Sequence, residues 1–171
     1  MAQKKIHKKS GKTQNKPQPK TKNKGKSDER VRFSIGLFFL FLAAFLSLAF
    51  ISYFFTWKTD QSFEWSKVLS EASVQVNNWS GKTGARLANL FINKWFGLAS
   101  FVIPFLSGII GLRLLKVKIR RMGKIFRSSL IAMILISITL GYIWGDMDGY
   151  LGSGLGGNHG YYMSTWLNAL I

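Results

Sequence analysis

The sequence predicts an all-α membrane protein: polytopic transmembrane helices, three complete spans plus the start of a fourth, behind a disordered basic N-terminal tail. Three observations predict this. Three stretches without a charged residue are each long enough to cross a bilayer. Charge is confined to the segments between them. Gly and Pro, which weaken helices in water, recur inside the apolar stretches, where a bilayer tolerates them. The 171 residues are 47% hydrophobic yet carry a formal net charge of +17, a pairing soluble domains seldom show.

Residues 1–32 hold twelve Lys and Arg against Asp28 and Glu29. They are rich in Lys, Gln, Asn and Pro with few apolar side chains, so burial cannot offset the entropy of ordering them. This basic region is too long for a cleavable signal peptide. It suits attraction to anionic headgroups, a nucleic-acid arm, or topology and solubility alone, and the last is the plainest. It contains no aromatic residue on which a base could stack.

Residues 33–55, FSIGLFFLFLAAFLSLAFISYFF, form the first span. At ~1.5 Å per residue these 23 residues exceed the ~30 Å of hydrocarbon. They are apolar all round, as lipid exposure requires, and Tyr53 and Trp57 mark the headgroup boundary. A loop at 56–94 follows. Within it Phe63, Trp65, Val68, Leu69, Ala72 and Val76 recur at helical spacing, which predicts an amphipathic helix at the membrane surface. Residues 77–84 break that pattern and 85–93 resume it.

The second span, 95–112, reads WFGLASFVIPFLSGIIGL. Gly97, Ser100, Pro104, Gly108 and Gly111 recur at intervals of three and four, which predicts one small-residue face packed on another helix. Phe101, Phe105 and Ile109 are expected to look elsewhere. The third span, 128–145, is short at 18 residues and ends in Tyr142 and Trp144. Residues 145–160 contain seven glycines and predict a loop. Residues 161–171, YYMSTWLNALI, then open another helix, so the chain reads as a fragment cut before or inside a fourth apolar segment.

Between the second and third spans, Arg113, Lys116, Lys118, Arg120, Arg121, Lys124 and Arg127 stand without an acid. The positive-inside tendency then puts 1–32 and 113–127 in the cytoplasm, and 56–94 and the tail from 146 outside. Two crossings separate the basic segments, so the assignment is self-consistent.

Motifs for chemistry are weak. Gly81-Lys82-Thr83 and Gly11-Lys12-Thr13 lack the glycine a phosphate loop needs five residues earlier, having Val76 and Ile6 there. Asn78-Trp79-Ser80 is a glycosylation sequon, a tripeptide frequent by chance. His7 and His159 have no partner ligands, and the absence of Cys excludes a thiolate site. Asp146 and Asp148 read as solvated loop residues. No metal, cofactor or catalytic residue is expected in this segment. No span holds an ionisable residue, which disfavours a pump or proton-coupled transporter.

The segment 78–104, NWSGKTGARLANLFINKWFGLASFVIP, resembles the entry to the second helix in the N-terminal membrane domain of the FtsK/SpoIIIE family of bacterial DNA translocases. The family pattern N-x-x-G-x-x-G-A-x-L-A, then F-G-x-A-x-x-x-P, falls on Asn78, Gly81, Gly84, Ala85, Leu87, Ala88, Phe96, Gly97, Ala99 and Pro104. The glycine-rich stretch after the third span and the long first outer loop are similar too. The resemblance implies four transmembrane helices in the bacterial cytoplasmic membrane, with a cytoplasmic N-terminus and a multi-pass course. It implies anchoring at the division septum, self-association as a homo-oligomer, and contacts with other cell-division proteins. ATP, Mg and double-stranded DNA are implied only for a motor domain beyond these residues. The alternatives are an unrelated polytopic scaffold, a transporter subunit, or a membrane-bound enzyme using Asp146, Asp148 and His159.

Overall fold

The computed structural model describes residues 24–61, 76–145 and 147–170, and every structural statement below concerns those. The expected surface helix of the first loop lies largely outside them, as do residues 1–23 and Asp146.

The first helix, α1 (Lys24–Gln61), has 38 residues and is ~57 Å long, nearly twice the hydrocarbon thickness. It starts nine residues before the apolar run, so residues 24–32 are helical where composition alone assigns a disordered tail. Extending a formed helix costs far less than nucleating one, so the apolar span carries its polar flank with it. Residues 28–35 are exposed.

The second helix, α2 (Gly81–Ala88), widens into a π-helical segment, Asn89–Phe96. The backbone leaves helical geometry at Trp95 (φ −110°, ψ −108°), and Gly97 has φ +62°. A 3-10 turn, Gly97–Phe101, then leads into α3 (Val102–Leu114). At ~2.0 Å and ~1.5 Å per residue, 97–114 spans about 30 Å and crosses the bilayer unaided. The fourth helix, α4 (Met122–Trp144), absorbs Lys124 and Arg127 ahead of its apolar part. A short turn, Met147–Gly149, precedes α5 (Gly157–Leu170). That helix begins inside the stretch whose glycines predict loop, a correction explained by its close crossing with α4.

Contacts along α1 set the levels of the other elements. From the basic end, Glu29 pairs with Lys116, Gly36 lies under Leu114, Phe39 meets Ser107, and Phe50 and Phe54 meet Phe101. The crossing 97–114 is therefore antiparallel to α1. Residues 78–89 instead run back along α1: Ser80 Oγ donates to the Phe45 carbonyl at 3.4 Å, Asn78 Nδ2 to the Ala49 carbonyl at 3.0 Å, and Tyr53 reaches Asn89. Ala49 lies six residues inside the end of the 33–55 run, ~9 Å below it. The segment 78–96 is thus re-entrant: it dips into the membrane half opposite the basic end and turns back at Trp95 and Gly97.

The core sits in that half, where Leu46, Ala49, Phe50 and Tyr53 of α1 enclose Ala88, Ile92 and Leu151. Phe38, Phe41, Leu135 and Ile143 point outward, as lipid-facing side chains do. The molecule is an all-α polytopic membrane protein in which three stretches of the described residues, Asp28–Thr59, Gly81–Leu114 and Met122–Trp144, are long and apolar enough to span.

Candidate functional site

The predicted small-residue face divides in two because the helix is broken between its members. Ser107, Gly108 and Gly111 of α3 face α1, and Pro104 is buried one turn before them. Ser107 Oγ donates to the Phe39 carbonyl at 3.0 Å. A methyl at Gly111 would meet Leu40 Cγ at 2.8 Å and the Gly36 carbonyl at 2.9 Å, whereas one at Gly108 would meet Ala43 at an ordinary 3.7 Å. Gly97 lies off this face: its Cβ would strike the Leu155 carbonyl and the backbone of Gly156 and Gly157. Ser100 Oγ donates to the Phe91 carbonyl, closing the α2–α3 turn. Phe101, expected to look elsewhere, packs between Phe50 and Phe54 at 5.5 and 6.0 Å. The 3-10 turn rotates it off a regular helical register.

The family-like pattern around Asn78 is the insertion device of the re-entrant segment. Asn78 is buried; its Oδ1 accepts from the Ser80 amide at 3.0 Å, and the Trp79 amide donates to Ser52 Oγ at 2.9 Å. These bonds satisfy backbone groups that lipid could not. Gly81 has φ +66° and begins α2; a Cβ at Gly84 would lie 2.3 Å from Ser80 Cβ, and Ala85 and Ala88 are fully buried. Gly84 leaves room for the side chains of Ser80, Asn78 and Ala49, while Gly81 has open space around it and is called for by its positive φ. With both amide atoms of Asn78 engaged and the side chain enclosed, the sequon is a packing feature. Gly81-Lys82-Thr83 is a helix start.

The glycine-rich stretch joins everything at that end. The Leu98 amide donates to the Leu155 carbonyl at 2.8 Å, and Ser137 Oγ of α4 donates to the Gly156 carbonyl at 2.7 Å. Methyls at Gly156 or Gly160 would strike the backbone of α4 within 2.6 and 2.1 Å. Ser153 Oγ donates to Asn93 Oδ1 at 2.6 Å, and Asn93 Nδ2 to Asn89 Oδ1 at 2.9 Å. The Tyr53 hydroxyl is within reach of both Asn89 Oδ1, at 3.2 Å, and the Leu151 carbonyl, at 3.4 Å. Composition does not announce this network of Asn and Ser; only the proximity of the three elements reveals it.

At the other end, Arg113, Lys116, Lys118, Arg120, Arg121, Lys124 and Arg127 are all exposed around the α3–α4 turn. Lys116 (φ +68°) terminates α3: its amide donates to the Arg113 carbonyl at 3.1 Å and the Val117 amide to the Leu112 carbonyl at 3.0 Å. Its ammonium pairs with Glu29, beside a hollow lined by Arg32, Phe33, Leu114 and Leu115. The hydrogen bond from Lys116, and then its charge, lower the Glu29 pKa. The pairing therefore holds above the ordinary carboxylate range and is lost as pH falls through the depressed value. The described part of the first basic segment, residues 24–32, meets the 113–127 turn at one end of the bundle through Glu29 and Lys116.

No enzyme-like constellation forms among the described residues. His159 Nδ1 lies 3.2 Å from Ser137 Oγ, and its ring packs on Phe96. Asp148 occupies the short turn after α4. No three His, Asp or Glu side chains gather there into a metal site.

Neither a curated protein nor a solved structure matches this chain. A family model described as the 4TM region of DNA translocase FtsK/SpoIIIE matches residues 28–171, from the flank of α1 through α5. With that much of its length matched, the chain belongs to the FtsK/SpoIIIE family, as the membrane region of a DNA translocase.

Proposed function

We propose that this region anchors a DNA-translocating motor to the bacterial cytoplasmic membrane and targets it to the division septum, where it serves cell division and chromosome segregation. The observation that carries the reading is the family membership across 28–171, joined to a bundle in which the flank 24–32 and the basic turn 113–127 lie at one end. By the positive-inside tendency that end faces the cytoplasm, where chromosomal DNA and ATP are. The region acts by tethering and by contacts with other copies and other division proteins, with no chemistry of its own. ATP hydrolysis and DNA binding belong to the motor.

A fluorescent protein fused to the chain, expressed in dividing rod-shaped bacteria, tests the targeting. A band at mid-cell is expected. Uniform fluorescence around the cell periphery throughout division would overturn septal targeting and leave membrane anchoring standing.

A further inference from the structure

The membrane half opposite the basic end carries cations of its own, brought there by the re-entrant segment. Arg86 and Lys94 stand eight residues apart on α2 and its π-helical extension, and both are exposed. They line one depression together with Leu87, Asn89 and Leu90. Lys94 also stands at the mouth of a second, adjoining groove between the π-helical segment and α5. That groove is lined by Trp95 and Phe96 on one side and Asn158, His159, Tyr162 and Met163 on the other. Neither hollow has a carboxylate among its described lining residues, and no ion pair between either cation and a described residue is found.

Two cations beside a groove whose far part is aromatic and thioether suit an anion bearing a hydrocarbon chain. Trp95 is exposed, and an exposed indole of a membrane protein favours the headgroup boundary. Lys94 and Arg86 flank the place a phosphate would occupy, and Arg suits a phosphate's geometry as well as its charge. Tyr162 and Met163 lie a turn farther along α5, where the groove turns apolar. Met adapts to an irregular, mobile chain better than a branched side chain does. The groove lies beside the break at Trp95 and Gly97. Breaks of this kind are frequent at functional sites.

We propose that this groove seats an anionic phospholipid of the leaflet opposite the basic end, its phosphate between Arg86 and Lys94 and one acyl chain along Trp95, Phe96, Tyr162 and Met163. The site is separate from the basic turn at 113–127, which faces the other leaflet. It stands independently of where in the cell the protein acts. The lipid would hold the re-entrant segment against α5 and tie the bundle to membranes rich in acidic lipid.

The purified chain, titrated with phosphatidylglycerol or phosphatidylcholine in detergent and read by native mass spectrometry, provides the test. Retention of phosphatidylglycerol over phosphatidylcholine is expected. Arg86→Gln with Lys94→Gln should weaken it about fivefold per cation removed. Lys118→Gln with Arg120→Gln, at the other leaflet, should leave this lipid in place. Equal retention of the two lipids by the unaltered chain, or equal loss in both double variants, would overturn the proposal. A phosphatidylglycerol carrying a photoreactive acyl chain gives a second reading that does not depend on the variants. Labelling of peptides holding Trp95 and Met163 supports the groove, and labelling confined to other peptides refutes it.

Discussion

At the scale of single residues, the demand for small side chains differs sharply between positions that look alike. Gly108 and Gly111 lie on the same face of α3, yet only Gly111 is in backbone contact with α1. Gly111→Ala forces Leu40 and the Gly36 carbonyl apart and should cost ~1–3 kcal/mol, the usual range for overpacking. Gly108→Ala adds an ordinary contact with Ala43 and should be nearly neutral. Thermal unfolding of the two variants in detergent separates them, and equal losses would contradict the packing described. The spacing of three and four in the sequence marks the face but carries no information on the distance to its partner.

At the scale of elements, the informative feature is the re-entrant segment. Its insertion relies on Asn78, which supplies a donor to the Ala49 carbonyl and an acceptor to the Ser80 amide inside a layer that offers no water. Asn78→Ala leaves these groups without a partner and should destabilise the segment by ~1–3 kcal/mol. Limited proteolysis in nanodiscs checks it: cleavage near residues 78–90 should rise while the α1–α3 contact survives. Resistance equal to that of the unaltered chain would mean that the segment is held by its apolar contacts alone. The sequence marks a resumed helical pattern over 85–93, but its direction was not legible. A helical pattern over 85–93 reads the same whether it continues into the next crossing or doubles back. Only Trp95 leaving helical geometry and Gly97 at positive φ distinguish the two.

At the scale of the whole molecule, the arrangement of charge and crossings makes a topology testable without any functional assay. A cysteine placed at Lys118 should resist a membrane-impermeant thiol reagent in intact cells and react after permeabilisation. One at Asp148, in the exposed turn after α4, should react without permeabilisation. Because the chain has no cysteine, each variant reports a single position. External reactivity at Lys118 would reverse the orientation and remove the physical ground for hanging a DNA motor from that end.

By itself the sequence determined the class of the protein, its three apolar crossings and the two basic segments, because these depend on composition over windows as long as a bilayer is thick. The pattern from Asn78 to Pro104 was enough to suggest the family. The tertiary structure alone decided where helices begin, bend and turn back. It carried α1 nine residues into the basic flank, broke the second crossing at Trp95 and Gly97, and gathered Tyr53, Asn89, Asn93 and Ser153 from distant positions into one network. Membership in lipid is an additive property of local side chains. Close approach of backbones depends on which partner stands opposite, and that partner is chosen only when the chain is folded.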